Sequence, residues 1–345
     1  MPNSTLVVLN WHSEEATARC VDSLHGLDGA EDCEVLVVDN ESTPSSREAL
    51  GRLDRVTVVP LGTNRGFAGG MNAGISAARG DYIGLLNNDL VVDPGWLGAG
   101  LRALEGPSVG IVGGQQFPWD GESAQLSCEI GTRGSGKDHA ATREAGLAMV
   151  HVDPQRGFAV LGTAPSGRRP VAGVDGCNLL ARAALLHRLG GFDPDYFAYG
   201  EDVDLCARAW ALGYETVFEP AMRVWHRRGA SSDRVARQRA FWAARNQLTT
   251  IAKHFAEASW KRTVALVALE HLSDATVGHP GGIRSKEAKQ LSRDERLGRV
   301  QAALWPVTHG RWLAAKRAAA IAAGQHDEGY TEHLRALAPS ALRAH

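Results

Sequence analysis

Short apolar runs alternate with amphipathic stretches along the first third of the chain. Residues 5–9, 33–38, 56–60 and 82–86 are apolar and β-branched runs of strand length. Between them, residues 14–27, a short stretch ending near Leu53, and a Gly-rich passage ending near Ala78 carry helical spacing. Strands separated by helices require right-handed crossovers, and so a mostly parallel sheet. Ligands of such sheets bind beyond the carboxyl ends of the strands. Two polar clusters fall at such ends: residues 35–38 run into Asp39-Asn40, and 83–86 into Asn87-Asn88-Asp89. If neighbouring strands carry them, the two carboxylates share one rim.

The pattern weakens over residues 120–170, where Gly, Ser, Arg and Pro are scattered among short apolar segments such as 158–161. This reads as a variable insertion with a hairpin or two and a loop. Order returns at Val171, with helices predicted over 182–189 and 203–212, each stopped by glycine. After Ser231 the chain turns to Ala, Arg, Leu and Trp at helical spacing, broken by His279-Pro280-Gly281-Gly282. The expected organisation is an α/β domain over residues 1–232 and a helical region over 233–345.

Composition narrows the function classes. A net charge of −2 gives no reason to expect a nucleic-acid partner. The five cysteines are scattered without C-x-x-C spacing, as packing residues of a reducing compartment would be. Met1 to Asn10 lacks the features of a secretory signal, and no run approaches the roughly 18 to 20 apolar residues that span a bilayer. A cytoplasmic protein, able to touch a membrane with its surface, is expected.

Four stretches carry candidate chemistry. Asn64 to Gly74 is a Gly-rich entry to a helix, whose free N–H groups suit phosphate; the spacing is not G-x-G-x-x-G, and a close-packed turn is the alternative. Asp89 is a hard oxygen ligand of the type Mg²⁺ or Mn²⁺ takes, although an Asx turn also explains Asn87-Asn88-Asp89. Around Glu201, Asp202 and Asp204, three carboxylates in four positions follow Phe192, Tyr196, Phe197 and Tyr199. That suits a general base beside a sugar-stacking platform, or else a helix cap. Trp225-His226-Arg227-Arg228 ends a strand-like run with a metal-capable imidazole and two guanidinium forks suited to phosphate, or with an ordinary solvated end. A near P-loop from Gly131 to Asp138 fails, because Asp138 stands where Ser or Thr is required.

The stretches VVLNWHS, VLVVDNES, NRGFAGGMNAG, YIGLLNNDLVV, GVDGCNLLARAALLHRLGGFDPDYFAYGEDVDLCARAWALGY and VWHRRGASS follow one another over about residues 5–232. In this order they resemble the inverting glycosyltransferases of family 2, particularly the rhamnosyltransferase-like branch. The resemblance implies the GT-A fold, a Rossmann-like mostly parallel sheet flanked by helices, here with a C-terminal helical extension. It implies a nucleotide-diphosphate sugar donor, foremost dTDP-L-rhamnose, and a saccharide, lipid-linked or small-molecule acceptor. By position, Asp39 corresponds to the donor-base contact, with Asn10, Asn40 and Ser42 around it. Asn64, Arg65, Gly66, Phe67, Gly70 and Asn72 correspond to the nucleotide-diphosphate pocket. Asp89 corresponds to the metal carboxylate, with Asn88 beside it, and His226 to the second ligand of Mg²⁺ or Mn²⁺. Asp202 corresponds to the general base, and Glu201 and Arg228 to substrate contacts. Asn87-Asn88-Asp89 departs from the family's commonest Asp-x-Asp, as the same branch also does, and one carboxylate fewer implies weaker metal affinity.

Two rivals make different demands. A nucleotidyltransferase needs a Gly-rich loop with a basic residue directly after the first strand, where Asn10-Trp11-His12-Ser13 stands. A non-catalytic sugar-nucleotide or glycan-binding module has no need of Asp89, Asp202 and His226 together. The tail, with Trp260, Trp305 and Trp312, suits a membrane surface, a homodimer interface, acceptor docking or a plain helical buttress.

Overall fold

The computed structural model describes residues 3–119, 147–157, 159–227, 235–276 and 291–337. Arg228, the near P-loop from Gly131 to Asp138, the loop from His279 to Gly282, and most of the expected insertion lie outside the described residues.

Strands β1 (Ser4–Asn10), β2 (Cys33–Asn40), β3 (Thr57–Leu61) and β4 (Tyr82–Asn87) run parallel in the order β3-β2-β1-β4. β1, β2 and β4 are buried over most of their length, which is why they read as continuous apolar runs. Successive residues point to opposite faces. Val7, Leu36 and Val38 join one core with α3 (Gly66–Ala77), and Leu6, Val8, Val35 and Val37 join another with α1 (Glu14–His25). The polar turn after β2 becomes a helix of its own, Pro44–Leu50, opened by a Thr43–Ser46 capping box with proline in the first turn.

Strands β5 (Leu90–Val92), β6 (Val109–Pro118), β7 (Leu147–Val152), β8 (Ala159–Thr163), β9 (Arg169–Pro170), β10 (Asn178–Arg182) and β11 (Glu215–His226) complete the sheet, which continues as β10-β6-β11-β5 with β7 on β6, β8 on β7 and β9 on β11. β10 is antiparallel to β4 and β6, and β5 to β11, so the sheet is mixed though largely parallel. The rim differs from the simplest expectation in one respect: β2 and β4 are not neighbours, because β1 lies between them. Asn10 is paired with Asp39, and Leu9 with Asn87.

Helix α6 (Glu201–Ala211) leads into β11, and α7 (Ala236–His254) opens the helical tail. Leu248, Ile251 and Ala252 of α7 share a third core with Val203 and Ala207 of α6 and with Trp260, Val264 and Leu313. Cys20, Cys33, Cys177 and Cys206 are free thiols. Among the described residues no helix is long and apolar enough to cross a membrane.

Candidate active site

A cleft of about 820 Å³ opens at the carboxyl rim of the sheet. Nine of the site residues that the resemblance implies line it: Asn40, Asn64, Gly66 and Phe67 from the first half of the rim, and Asn88, Asp89, Glu201, Asp202 and His226 from the second.

Asp89 and His226 meet because of strand register. Asn88-Asp89 is the turn between β4 and β5, and β5 pairs with β11 so that Leu90 faces His226. The Arg227 N–H donates to the Asp89 carbonyl at 3.0 Å, and His226 Nε2 lies 3.1 Å from Asp89 Oδ1. Gln116 sets the imidazole. Its amide nitrogen donates to Asp175 Oδ2 at 2.7 Å, so its carbonyl oxygen faces His226 Nδ1 at 2.9 Å and requires the proton there. Nε2 then faces the carboxylate, and among the described residues Asp89 Oδ1 is buried without a hydrogen bond. An orphaned carboxylate oxygen beside an imidazole nitrogen is a donor pair that fits a divalent cation. Adjacent ligands of an octahedral ion with bonds of about 2.1 Å stand about 3 Å apart. Among the described residues no three His, Cys, Asp or Glu side chains converge, so such an ion would depend on substrate oxygens and water for its remaining ligands. Asn88 turns its amide onto Thr17 Oγ1 at 3.0 Å and thereby pins the turn to α1.

Asp202 lies in the first turn of α6, partly exposed at the cleft. Its oxygens accept from the Gly176 and Val203 N–H groups at 3.0 and 2.8 Å. Burial, and after it the charge of Asp175, outweigh these bonds and push its carboxyl up to about 7. Burial, and then the charge of Asp202, hold Glu201 well above the usual carboxylate range, and among the described residues its Oε2 has no hydrogen-bond partner. Asp204 has a different fate. It is fully buried against Arg208, Lys253 and His254. Burial would raise its pKa, but Lys253 and Arg208 overcome this and hold it well below the carboxylate range.

The other predicted residues build the floor beneath the cleft. Asn10 and Asp39 are buried, with Asp39 accepting from Asn10 Nδ2 at 3.0 Å and from Ser46 Oγ at 2.6 Å. Both carboxylate oxygens are therefore engaged inside the protein. Asn40 ties the next loop down, donating to Asn64 Oδ1 and the Gly66 carbonyl while accepting from the Arg65 N–H. Ser42 holds the Leu61 carbonyl through its backbone N–H, and Arg65 is exposed. Gly70 lets α3 approach β1, since a Cβ there would meet Leu9 at 2.5 Å. Asn72 clamps the Phe192 backbone with two bonds of 2.8 Å. Gly66 has a φ of +70°, and a Cβ would lie 2.4 Å from the Phe197 carbonyl.

Of the four aromatics before Glu201, Phe192 and Tyr196 are buried and only Phe197 and Tyr199 reach the cleft. Three contributors are missed by sequence reasoning: Gln116, Asp175, and Trp242 of α7. Asp175 stands in the quoted GVDGCNLLAR stretch, a usable signal; Gln116 and Trp242 carry none.

Known proteins similar to this chain identify its family and fold. The sequence profile of Glycosyl transferase family 2 matches residues 5–143, and that of Glycosyl transferase family group 2 matches residues 82–277, more than half of the chain. An N-acetylglucosaminyl-diphospho-decaprenol L-rhamnosyltransferase of Mycobacterium tuberculosis is 29% identical over 213 residues, 58% of this chain and 68% of that protein. An uncharacterized protein of Sinorhizobium fredii is 25% identical over 219 residues; the match takes in 61% of this chain but spans only 23% of that longer protein. The mannosyltransferase PcManGT from Pyrobaculum calidifontis, solved with GDP-Man and Mn²⁺, superposes with a TM-score of 0.51 at 18% identity over 94% of this chain and 86% of that one. The chain belongs to glycosyltransferase family 2, an enzyme family, and has the GT-A fold.

Proposed function

We propose that the protein transfers a sugar, with inversion, from a nucleotide-diphosphate donor to a hydroxyl of a saccharide, lipid-linked or small-molecule acceptor. The observation that carries this reading is that one cleft is lined both by Asp202, poised near neutrality, and by the Asp89–His226 pair. Asp202 takes the proton of the acceptor hydroxyl as its oxygen bonds to the anomeric carbon. The nucleoside diphosphate departs from the opposite face with the bonding electrons. A base so placed contributes about 10² to 10⁴ in rate. Glu201, whose carboxyl burial and the charge of Asp202 hold well above the usual carboxylate range, is the substrate contact beside the base. Asp89 and His226 would hold Mg²⁺ or Mn²⁺, which when bound offsets the charge developing on the leaving diphosphate.

dTDP-L-rhamnose is the first donor to test, a choice supported by the mycobacterial relative. The proposed catalytic unit is residues 1–232 together with the cleft face of α7, and the reaction is assigned to the cytoplasm.

A thermal-shift panel of nucleoside diphosphates and nucleotide sugars with and without Mn²⁺ identifies the donor, because a ligand bound to the native state alone raises the melting temperature. Nucleoside diphosphate release then reports transfer. Asp202→Asn is expected to abolish transfer with nucleotide binding retained, and full activity in that variant would remove Asp202 as the base.

A further inference from the structure

The cleft has a wall that the catalytic residues do not use. Helix α7 supplies it, with Gln238 and Trp242 four residues apart on one face and Gln247 and Thr250 lining the cleft further along. Trp242 is half-buried, and its ring centroid lies 4.5 Å from that of Phe197 at an interplanar angle of 35°. Its indole brings an apolar ring and a polar N–H to the cleft wall.

Phe197 is held there against backbone preference. It has φ 64° and ψ −64°, and Tyr199, also in the cleft, has φ 72°. Side chains other than glycine rarely adopt such angles, and each costs on the order of 1 to 3 kcal/mol unless the surroundings enforce it. Enforcement comes from two sides. The Ala68 N–H of α3 bonds the Phe197 carbonyl at 3.1 Å, and Asn246 of α7 bonds the carbonyls of Ala198 and Tyr199 at 2.8 and 2.6 Å. Four residues after Phe197 the chain opens α6 with Glu201, followed by Asp202. The strained loop thus places two aromatic rings on the same cleft as the proposed base.

We propose that Trp242 and Phe197 form the acceptor subsite, taking the apolar face of a pyranose ring and presenting its hydroxyl to Asp202. This rests on the glycosyl-transfer reading and narrows the acceptor class to a saccharide, free or carried on a lipid. Gln238, exposed at the same wall, is available to the ring's remaining hydroxyls. A loop–helix packing contact alone would explain the ring pair, but would not make acceptor affinity depend on Trp242.

The test follows nucleoside diphosphate release from the nucleotide sugar that the protein turns over, against a panel of p-nitrophenyl pyranosides and aliphatic alcohols. At least one pyranoside is expected to accelerate release. Trp242→Ala is expected to raise its KM about tenfold, while the Kd for the nucleotide sugar, read by thermal shift, moves less than about twofold. Trp242→Phe is expected to recover most of the loss. An unchanged acceptor KM in Trp242→Ala, or acceleration by the alcohols alone, overturns the subsite and leaves glycosyl transfer standing. Failure of every nucleotide sugar to shift melting or to release diphosphate overturns the transfer reading, and the subsite with it.

Discussion

His226 Nε2 stands 3.1 Å from Asp89 Oδ1, brought there by the pairing of β11 with β5 and oriented by Gln116. With an Nδ1 proton committed to Gln116, a neutral imidazole would turn its Nε2 lone pair beside the carboxylate, a donor pair that suits a divalent cation. His226→Ala should therefore raise the Mn²⁺ concentration needed to stabilise the nucleoside diphosphate complex, by at least about tenfold. Gln116→Leu should do so less, since it frees the imidazole without removing it. Calorimetric Mn²⁺ titrations of the nucleotide complex check both, and curves superimposable on that of the parent protein would end the assignment of His226 as a ligand.

Asp175 gives Asp202 its second upward push after burial, and that has a pH signature. A base works only when ionised, so kcat/KM should fall about tenfold per pH unit as pH drops below about 7. Asp175→Asn removes a negative charge that opposes ionisation, so the acid limb should move to lower pH. If the limb stays in place, either Asp175 does not act on the base or the limb belongs to another group.

What could be read in the sequence follows from where the side chains act. Asp89, Asp202 and His226 each close a strand or open a helix, and apolar periodicity marks those boundaries. Periodicity carries no strand order, so it could not reveal β1 between β2 and β4. Nor could it separate Phe192 and Tyr196, which are buried, from Phe197 and Tyr199, which line the cleft. Partners far along the chain decide that: Asn72 holds the Phe192 backbone, and Asn246 the carbonyls of 196, 198 and 199. Gln116 reaches the cleft through Asp175 and His226, and no local pattern announces a contact made across the sheet.

Asn246 is buried, and its amide nitrogen donates to the carbonyls of Tyr196, Ala198 and Tyr199 at 2.9, 2.8 and 2.6 Å. Two hydrogens are shared among three acceptors in the loop that leads to Asp202. Asn246→Ala should cost about 2 to 3 kcal/mol of unfolding free energy, because the Ala198 and Tyr199 carbonyls lose this donor while that of Tyr196 keeps Arg245 Nη2 at 3.0 Å. Asn246→Asp should cost more, since a carboxylate would then face them. In Asn246→Ala, acceptor-dependent kcat should fall while nucleotide affinity holds, a split that a generally weakened fold would not produce. Denaturant melts and steady-state kinetics on the same preparation separate the two effects.

The buried cluster behind α6 should make the fold acid-sensitive, and His254 sets where this begins. Its Nε2 lies 2.8 Å from Asp204 Oδ1, and burial lowers its pKa from 6.5 to about 4 despite that carboxylate. The folded state therefore holds His254 neutral while the unfolded chain protonates it below 6.5, so stability declines as pH falls from 6.5 towards 4. One proton gives a slope of up to about 1.4 kcal/mol per pH unit. Asp204, held well below its usual range by Lys253 and Arg208, keeps its own contribution above the ordinary carboxylate pKa and loses it as pH drops through the depressed value. Its loss thus comes later in the descent. Lys253, 2.5 Å from Asp204 and 2.9 Å from Asp193, is the cation whose removal leaves both carboxylates short of charge. Lys253→Met should cost about 3 to 5 kcal/mol at neutral pH. His254→Gln should flatten the slope between pH 6.5 and 4 whatever it does to absolute stability. Urea melts at intervals across that window measure both, and a slope unchanged in His254→Gln would move the acid sensitivity to another group.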